Sequence, residues 1–441
     1  MNTSLNRTHD VTRKSWVSSA NDGITDFPVQ NLPLGLYRLD ADSALHPGVA
    51  IGDQILQLTQ VLKHELLNPD AAQAVRLMMT GSLNELMAAD PKLTHALRHA
   101  VFDLLVSETA SKDLTIQCLI AHTDVQMSMP ANIGDFSDFS VSRHHNTTLG
   151  QVAKRENALH PNFNHLPIAY HGRSSSIVVS GVDCRRPYGQ RGLRTDSAPT
   201  YGPSARLDYE MELGLLIGRP SVLGDPVTLG AAEDHLFGFC MLNDWSARDI
   251  QSWEITPLGP FQAKSFMTTI SPWVITVEAL APYRGATVPW PESIPPLIDY
   301  FVNPTVASMG AFDVTVCAAI QTSKMRAAGI PAQIISTGRL ADHPWNVFQL
   351  ITHQTHNGCN LRAGDLIGTG TISGPGPGEQ GCLQEISRGG STTFDLPGGE
   401  TRTYLEDGDE VAFTATCTRP GFVKIGFGEC KGVVLPAHDK N

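Results

Sequence analysis

Residues 207–217, Leu-Asp-Tyr-Glu-Met-Glu-Leu-Gly-Leu-Leu-Ile, constrain this chain more than any other stretch. Strand side chains alternate between faces, so Glu210 and Glu212 point the same way, about 7 Å apart. Tyr209, Met211 and Leu213 point the other way, into a core. The tail Leu215-Leu216-Ile217 is apolar on both faces, so the strand runs into the interior. Two carboxylates side by side repel unless a cation or an arginine joins them. The alternative is a solvated sheet face.

A second apolar run, 237–242, reads as a buried strand. It feeds Asn243-Asp244-Trp245-Ser246-Ala247-Arg248-Asp249-Ile250-Gln251, and Lys264 follows. Asp244 then sits where a strand leaves the core, with Arg248, Gln251 and Lys264 on the emerging loop, as in sites carried on a rigid scaffold. The competing reading is a helix capped by Asn243 or Asp244, with an Arg248–Asp249 surface pair.

Composition narrows the field. The chain has 441 residues, 41% of them hydrophobic, with 39 Gly and 29 Pro. That predicts a sizeable core and a turn-rich, mostly β fold in two or three domains. A net charge of −12 argues against nucleic acid or an anionic membrane as partner. No apolar run approaches the ~18 residues of a membrane span. The eight cysteines lack any C-x-x-C pair and read as free thiols in a reducing, cytoplasmic setting. Residues 1–25 are polar and read as a disordered tail; as a transit peptide they are interrupted by Asp10.

Short strands are expected at 35–38, 47–51 and 54–58, with Gly52-Asp53 as a hairpin turn. Helices are expected after Asp70, from Ser82 with Glu85 closing a capping box, and from Pro91. In the last of these Leu93, Leu97, Val101 and Leu104 recur at helical spacing. Residues up to about 125 thus form a small domain of barrel-like strands and helices with no visible chemistry.

Further along, Asp138 precedes the pair His144-His145, whose rings must point apart. One histidine with a carboxylate partner would serve as a general base; the alternative is a surface pair beside an acidic turn. Tyr170 lies in a polar turn before the apolar 177–179, able to hydrogen-bond a ligand or to anchor a core edge. Gly368-Thr369-Gly370-Thr371-Ile372-Ser373-Gly374 would let backbone approach a ligand closely. It lacks the G-x-G-x-x-G order and a following helix, which excludes a dinucleotide site.

These segments, taken in order, resemble the fumarylacetoacetase family. The resemblance runs from about residue 24 to 437. It rests on Asp26-Phe27-Pro28-Val29-Gln30-Asn31-Leu32-Pro33, Ile133-Gly134-Asp135, Tyr170-His171-Gly172-Arg173, Tyr209-Glu210-Met211-Glu212, residues 243–250, Asn357-Gly358-Cys359-Asn360-Leu361-Arg362, Gly370-Thr371-Ile372-Ser373-Gly374 and Gly426-Phe427-Gly428. It implies an α+β, mostly β fold, with a small SH3-like domain over 26–125, a larger mixed β-roll domain over 126–441, and a homodimer. It implies hydrolysis of a carbon–carbon bond in a 1,3-diketo acid, fumarylacetoacetate first, at the end of tyrosine and phenylalanine breakdown. It implies Ca²⁺ or Mg²⁺ on Asp138, Glu210, Glu212 and Asp244, and a structural cation near Asp244, Lys264 and Thr268. His145 becomes the base that activates water, oriented by Glu385. Arg248, Gln251 and Lys264 would stabilise charge on the substrate, and Thr371 would contact it.

The chain departs from the family pattern at three places. Ser140 stands where the family has a tyrosine two residues after the metal aspartate. Ile255 replaces another tyrosine, four residues after Gln251. An arginine that the family carries between Gly150 and Glu156 has no counterpart at its place, and a one-residue gap leaves Lys154 as the nearest basic candidate. These changes predict a shifted substrate preference with metal and base intact. A sister activity on another keto acid and a non-catalytic dimeric paralogue are the competing readings. The paralogue should have lost His145 or a metal carboxylate, and neither is lost.

Overall fold

The computed structural model describes residues 4–106, 111–193 and 195–439. The chain is α+β and mostly β. An N-terminal sheet of five antiparallel strands runs in the order Leu119–Ala121, Gln54–Gln57, His46–Ile51, Leu34–Arg38, Gln126–Ser128. Gly52-Asp53 is the expected two-residue hairpin turn, closed by the Ile51–Gln54 pair, with Gly52 at φ 56° where only glycine is unstrained. The last strand, Gln126–Ser128, carries this sheet past the expected boundary at 125.

Helices Pro69–Met78 and Pro91–Val106 cover the sheet with Val75, Met78, Leu97, Val101 and Phe102. The first starts one residue before Asp70, because Asn68 caps it through Ala71 N. The capping box expected at Ser82 does not form. That helix is Asn84–Ala88, and its N-cap, Leu83, makes no side-chain bond.

Within the segment expected as a disordered tail, Thr8, His9, Ser15, Val17 and Ala20 are instead buried. Ser15 Oγ and Trp16 N donate to Leu105 O, and Trp16 Nε1 donates to Leu104 O. These bonds satisfy carbonyls that the end of helix Pro91–Val106 leaves orphaned. Buried Arg98 donates to Thr8 Oγ1 at 3.0 Å and to the carbonyls of Gln30 and Asn31. A polar composition resembles disorder until long-range partners exist for its donors.

The main sheet has eight strands. Its path is Ile168–Gly172, Phe136–Ser140, Leu366–Gly368, Met211–Ile217, Leu236–Asp244, Thr268–Ile270, Ile177–Val179, and Ile275–Thr276 pairs alongside Leu236–Asp244. A second sheet orders Gln333–Arg339, Thr315–Gln321, Glu410–Cys417, Ile425–Leu435, Cys184–Arg185. Thr315–Gln321 alternates buried and half-exposed residues, so it turns one face to a core. Met211–Ile217 and Leu236–Asp244 are buried throughout. Leu213, Leu215 and Ile217 pack with Val316, Ala318, Ile320 and Phe413 of the second sheet. Leu216, Phe237, Cys240 and Leu242 pack with the N-terminal helices and strands. The run that is apolar on both faces is therefore the strand covered on both.

Two sequence readings of the site region change. Arg248, Gln251 and Lys264 lie on short helices, Arg248–Glu254 and Gln262–Ser265, rather than on a loop. The first is entered at Ala247, not capped by Asn243 or Asp244, because both of those still belong to the strand. Tyr170 lies on the strand Ile168–Gly172, not in a turn.

Candidate active site

Asp138 ends up opposite Gly368 on the neighbouring parallel strand, and Gly368 opposite Gly214 on the next. This brings Asp138 toward Glu210, Glu212 and Asp244. All four are buried, and each offers an oxygen within 4.8 Å of the others. Gly368 makes this possible. A Cβ there would run into the Asp138 carboxylate and stand 3.2 Å from Glu212 Oε2. The glycine-rich segment read as a close backbone approach thus makes room for carboxylates, while Gly370, at φ 75°, donates its N–H to Glu212 Oε2 at 3.0 Å.

The cluster is short of positive charge on one side. Lys264 Nζ donates to Glu210 Oε2 and, at 2.6 Å, to Asp244 Oδ2. Arg248 Nη2 lies 2.8 Å from Glu210 Oε1 as an ion pair. Burial pushes Glu210 up, yet Lys264, Arg248 and His145 together carry it well below the usual carboxylate range. Burial raises Asp138 well above its ordinary value, and Asp244 raises it further. Glu212 is raised likewise by burial, then by Asp138 and Glu210. Asp138 Oδ1, Glu212 Oε1 and Asp244 Oδ1 are buried without a hydrogen-bond partner among the described residues. Four clustered carboxylates, three of them with an orphaned oxygen, fit a hard divalent cation, which takes all-oxygen ligands.

His145 borders this cluster. Its helix, Arg143–Val152, is capped by Ser142 Oγ, which accepts from His145 N at 3.1 Å and donates to Ser373 O at 2.7 Å. His145 Nδ1 lies 2.8 Å from Glu385 Oε2, and its Nε2 is 3.7 Å from Glu210 Oε1. Burial pushes Glu385 up, but His145 and hydrogen bonds from Ser373 and Cys382 bring it below its ordinary value, so it stays ionised. A carboxylate only accepts, which puts the imidazole proton on Nδ1 and leaves the Nε2 lone pair facing the acid cluster. His144, by contrast, is exposed. Cys382 Sγ donates to Glu385 at 3.3 Å, and burial holds this thiol far above its usual value, so it is a neutral donor rather than a metal ligand.

Tyr170 OH donates to Asp244 Oδ2 at 2.7 Å. Burial, then Asp244, keeps that phenol protonated. Gln251 Oε1 accepts from Arg248 Nη1 at 3.1 Å. Thr268 is the register partner of Asp244, and Thr371 is buried just past Gly370. Ser140 and Ile255 are half-buried, and Ser140 Oγ accepts from Asn146 Nδ2 at 2.7 Å. Lys154 is exposed in the turn after its helix, and the equally exposed Arg155 beside it is an arginine within the 150–156 interval, so the expected loss of a guanidinium there is a shift by one residue from Lys154.

Three residues escaped the sequence reading. Asp208 is fully buried and accepts from Arg248 Nε at 2.8 Å, from Leu383 N at 2.7 Å and from Gln384 N at 2.9 Å. It replaces Asp249 as the partner of Arg248, and ties Arg248 to the turn bearing Glu385. Its place two residues before Glu210 was the available signal. Asp249 instead accepts from Ser204 Oγ and Ala205 N. Ser373 Oγ donates to Glu385 Oε2 at 2.7 Å. His343 is buried with neither ring nitrogen bonded among the described residues, and burial, with His144 and His145, lowers it to about 3.

Comparison with known proteins agrees over both halves of the chain. Residues 30–130 match the family model "Fumarylacetoacetase N-terminal", and residues 136–435 match "Fumarylacetoacetate (FAA) hydrolase C-terminal". The fumarylacetoacetase of Caenorhabditis elegans is 42% identical over 430 residues, 96% of this chain and 99% of the relative. Those of Rattus norvegicus and Homo sapiens are 40% and 41% identical over 428 residues, with the same coverage. With both models matched in order and identity at this level from end to end, the chain belongs to the fumarylacetoacetase family.

Proposed function

We propose that this protein hydrolyses fumarylacetoacetate to fumarate and acetoacetate, as the last step of tyrosine and phenylalanine breakdown. The observation that carries the reading is a cluster of four buried carboxylates, three of them with an orphaned oxygen, bordered at Glu210 by a histidine–glutamate pair, in a chain about 40% identical to proteins named for this reaction.

His145 Nε2 takes a proton from water, and Glu385 stabilises the imidazolium that results. The water oxygen bonds to the ketone carbon of the fumaroyl group. Arg248, Gln251 and Lys264 donate to the oxyanion that forms. The carbon–carbon bond then breaks, its electron pair leaving as the acetoacetate enolate, and His145 returns the proton to that carbon. The water oxygen ends in the new fumarate carboxylate. Asp138, Glu210, Glu212 and Asp244 would hold Ca²⁺ or Mg²⁺, which when bound supplies Lewis-acid stabilisation of negative charge on oxygen. Thr268, beside Asp244 and Lys264, would border a second, structural cation.

The test is turnover of fumarylacetoacetate by purified protein, before and after chelation and with Mg²⁺ or Ca²⁺ restored. No turnover with either cation rejects the substrate, and full turnover by chelated protein rejects the cation.

A second reading concerns preference within the same reaction. Two phenols are missing at 140 and 255, and Ser140 is already bonded to Asn146. A site lacking hydrogen-bond partners discriminates weakly for the group they would hold. This favours a bulkier or less polar acyl end over the fumaroyl group. The same family logic supports a homodimer, testable by light scattering, with Leu258 and Phe261 exposed beside the site helices. The eight free thiols suit a reducing compartment such as the cytoplasm. No helix among the described residues is long and apolar enough to cross a membrane.

A further inference from the structure

On the far side of the N-terminal helices, His95 and His99 lie one turn apart on Pro91–Val106 and turn to the same carboxylate, Glu278, of the segment after the strand Ile275–Thr276. His95 Nδ1 is 3.0 Å from Glu278 Oε1, and His99 Nε2 is 3.3 Å from the same oxygen. All three ligand atoms fall within 4.8 Å of one another. Bonds of 2.0–2.1 Å in a tetrahedron place neighbouring ligand atoms about 3.3 Å apart. The triad is thus already near the spacing that a four-coordinate ion imposes.

Glu278 Oε1 also accepts from Asn6 Nδ2 at 2.8 Å. One carboxylate oxygen offers about two lone-pair sites, so Oε1 cannot accept from Asn6 and from both imidazoles at once. A cation accepting both imidazole lone pairs removes that conflict. The surroundings already hold the acid in place, since Asn6 orients its oxygen and His9 Nε2 bonds Glu278 O at 2.8 Å. Such outer hydrogen bonds are what fix ligands in metal sites. The His95 side chain is half-exposed, which leaves a fourth position open to water.

We infer that His95, His99 and Glu278 form a binding site for a borderline divalent transition cation, Zn²⁺ foremost, distinct from the all-carboxylate cluster. Two imidazoles and one carboxylate select zinc or cobalt over Mg²⁺ or Ca²⁺, which take oxygen ligands. The ion would join helix Pro91–Val106 to residue 278, a link between segments 179 and 183 positions apart in sequence. It would fasten the N-terminal helices and the packed residues near Asn6 to the main sheet.

The test is titration of Co²⁺, then Zn²⁺, into the chelated full chain after saturation with Mg²⁺. One further equivalent of Co²⁺ should bind with tetrahedral ligand-field absorption, and Zn²⁺ should raise the melting temperature. His95→Gln with His99→Gln should weaken Co²⁺ binding at least tenfold and abolish the Zn²⁺ rise. Turnover with Mg²⁺ should stay within about twofold. His95→Gln alone, at a half-exposed position, gives the same comparison if the double variant fails to fold. Equal Co²⁺ stoichiometry and spectra in variant and parent, or no extra equivalent in the parent, would overturn the site.

Discussion

Cation binding at the carboxylate cluster should weaken steeply as pH falls, by an amount the cluster itself sets. Asp138 and Glu212 are raised well above their ordinary values by burial and by neighbouring acids, and Asp244 is raised by burial against the pull of Lys264. In an unfolded chain such acids titrate near 3.9 and 4.3. A folded value above the unfolded one means that the native, chelated protein holds protons through that window. Its stabilising share is complete below the unfolded values and is lost as pH rises through the folded ones. Glu210 runs the other way: lowered, it keeps its share above the unfolded value and loses it only as pH falls through the folded one, below the window. Cation ligands must be ionised, so a bound cation displaces those protons.

If one proton is displaced at every pH between 6 and 8, the apparent Kd rises tenfold for each pH unit downward. With free Mg²⁺ at 100 times the Kd measured at pH 8, the ligand stabilises the fold by about 2.7 kcal/mol. At pH 6 the same Mg²⁺ only matches the Kd, and about 0.4 kcal/mol remains. A chain of 441 residues melting as one unit has an unfolding entropy of about 0.9 kcal/mol/K. The Mg²⁺ increment in melting temperature should therefore shrink from about 3 °C at pH 8 to about 0.5 °C at pH 6. Thermal melts with Mg²⁺ and with chelator at each pH measure it. Taking the increment cancels the titration of distant groups such as His9, which burial lowers to about 4. An increment equal at the two pH values would refute the reasoning, because the acids would then hold no proton for the cation to displace.

His145→Ala should cut turnover by about 10²–10⁴-fold with cation affinity unchanged, while His144→Ala, on an exposed side chain, should cost little; steady-state kinetics of the pair decide which histidine is the base. Gly368→Ala should weaken Mg²⁺ binding at least tenfold by calorimetry, since its methyl meets Asp138 and Glu212, and overpacking should cost about 1–3 kcal/mol of stability; undiminished affinity would mean that the two carboxylates do not share an ion. Ser140→Tyr with Ile255→Tyr should raise kcat/KM for fumarylacetoacetate by roughly tenfold or more, if each regained hydrogen bond is worth about 1 kcal/mol. A parent protein that already prefers fumarylacetoacetate to bulkier diketo acids would end the altered-pocket reading.

What the sequence disclosed here was mainly what depends on period and local turn chemistry. Alternation put Glu210 and Glu212 on one face, the run at 237–242 marked a buried strand, and Gly52-Asp53 marked a hairpin. What it hid depends on partners distant in sequence. Asp208 is an ordinary acid until Arg248, 40 residues on, and the amides of Leu383 and Gln384 converge on it. Ser15 and Trp16 in the polar N-terminal segment satisfy a helix end about 90 residues later, and a polar composition alone cannot distinguish that from solvation. Helix Arg248–Glu254 entered only as the competing reading, and with the wrong cap, because no side chain caps it; its start is fixed by Arg248 N bonding Arg206 O. Gly368 could be read only as permitting a close approach, since which groups approach is set by the order of three strands.

In the proposed mechanism Arg248 and Lys264 each do two things, neutralising buried acids and meeting charge on a substrate, and their donors suffice for both. Lys264 has three N–H groups. Glu210 and Asp244 take two, leaving one. Arg248 has five in a rigid fork. Asp208 takes the Nε hydrogen and Gln251 one on Nη1, while Nη2 faces Glu210 without an aligned hydrogen bond. Asp208 thus grips the guanidinium from behind and leaves the Nη edge toward the acid cluster. A lysine at 248 could not do this, because a single ammonium cannot fill the Asp208 position and still reach the other edge. Nor could an arginine replace Lys264, whose compact head fits between two carboxylates that both lie in contact with it. The two basic positions are therefore not interchangeable, and the reason is geometric: one cation is clamped at its base and donates from its tip, and the other is shared between two acids and donates from what remains.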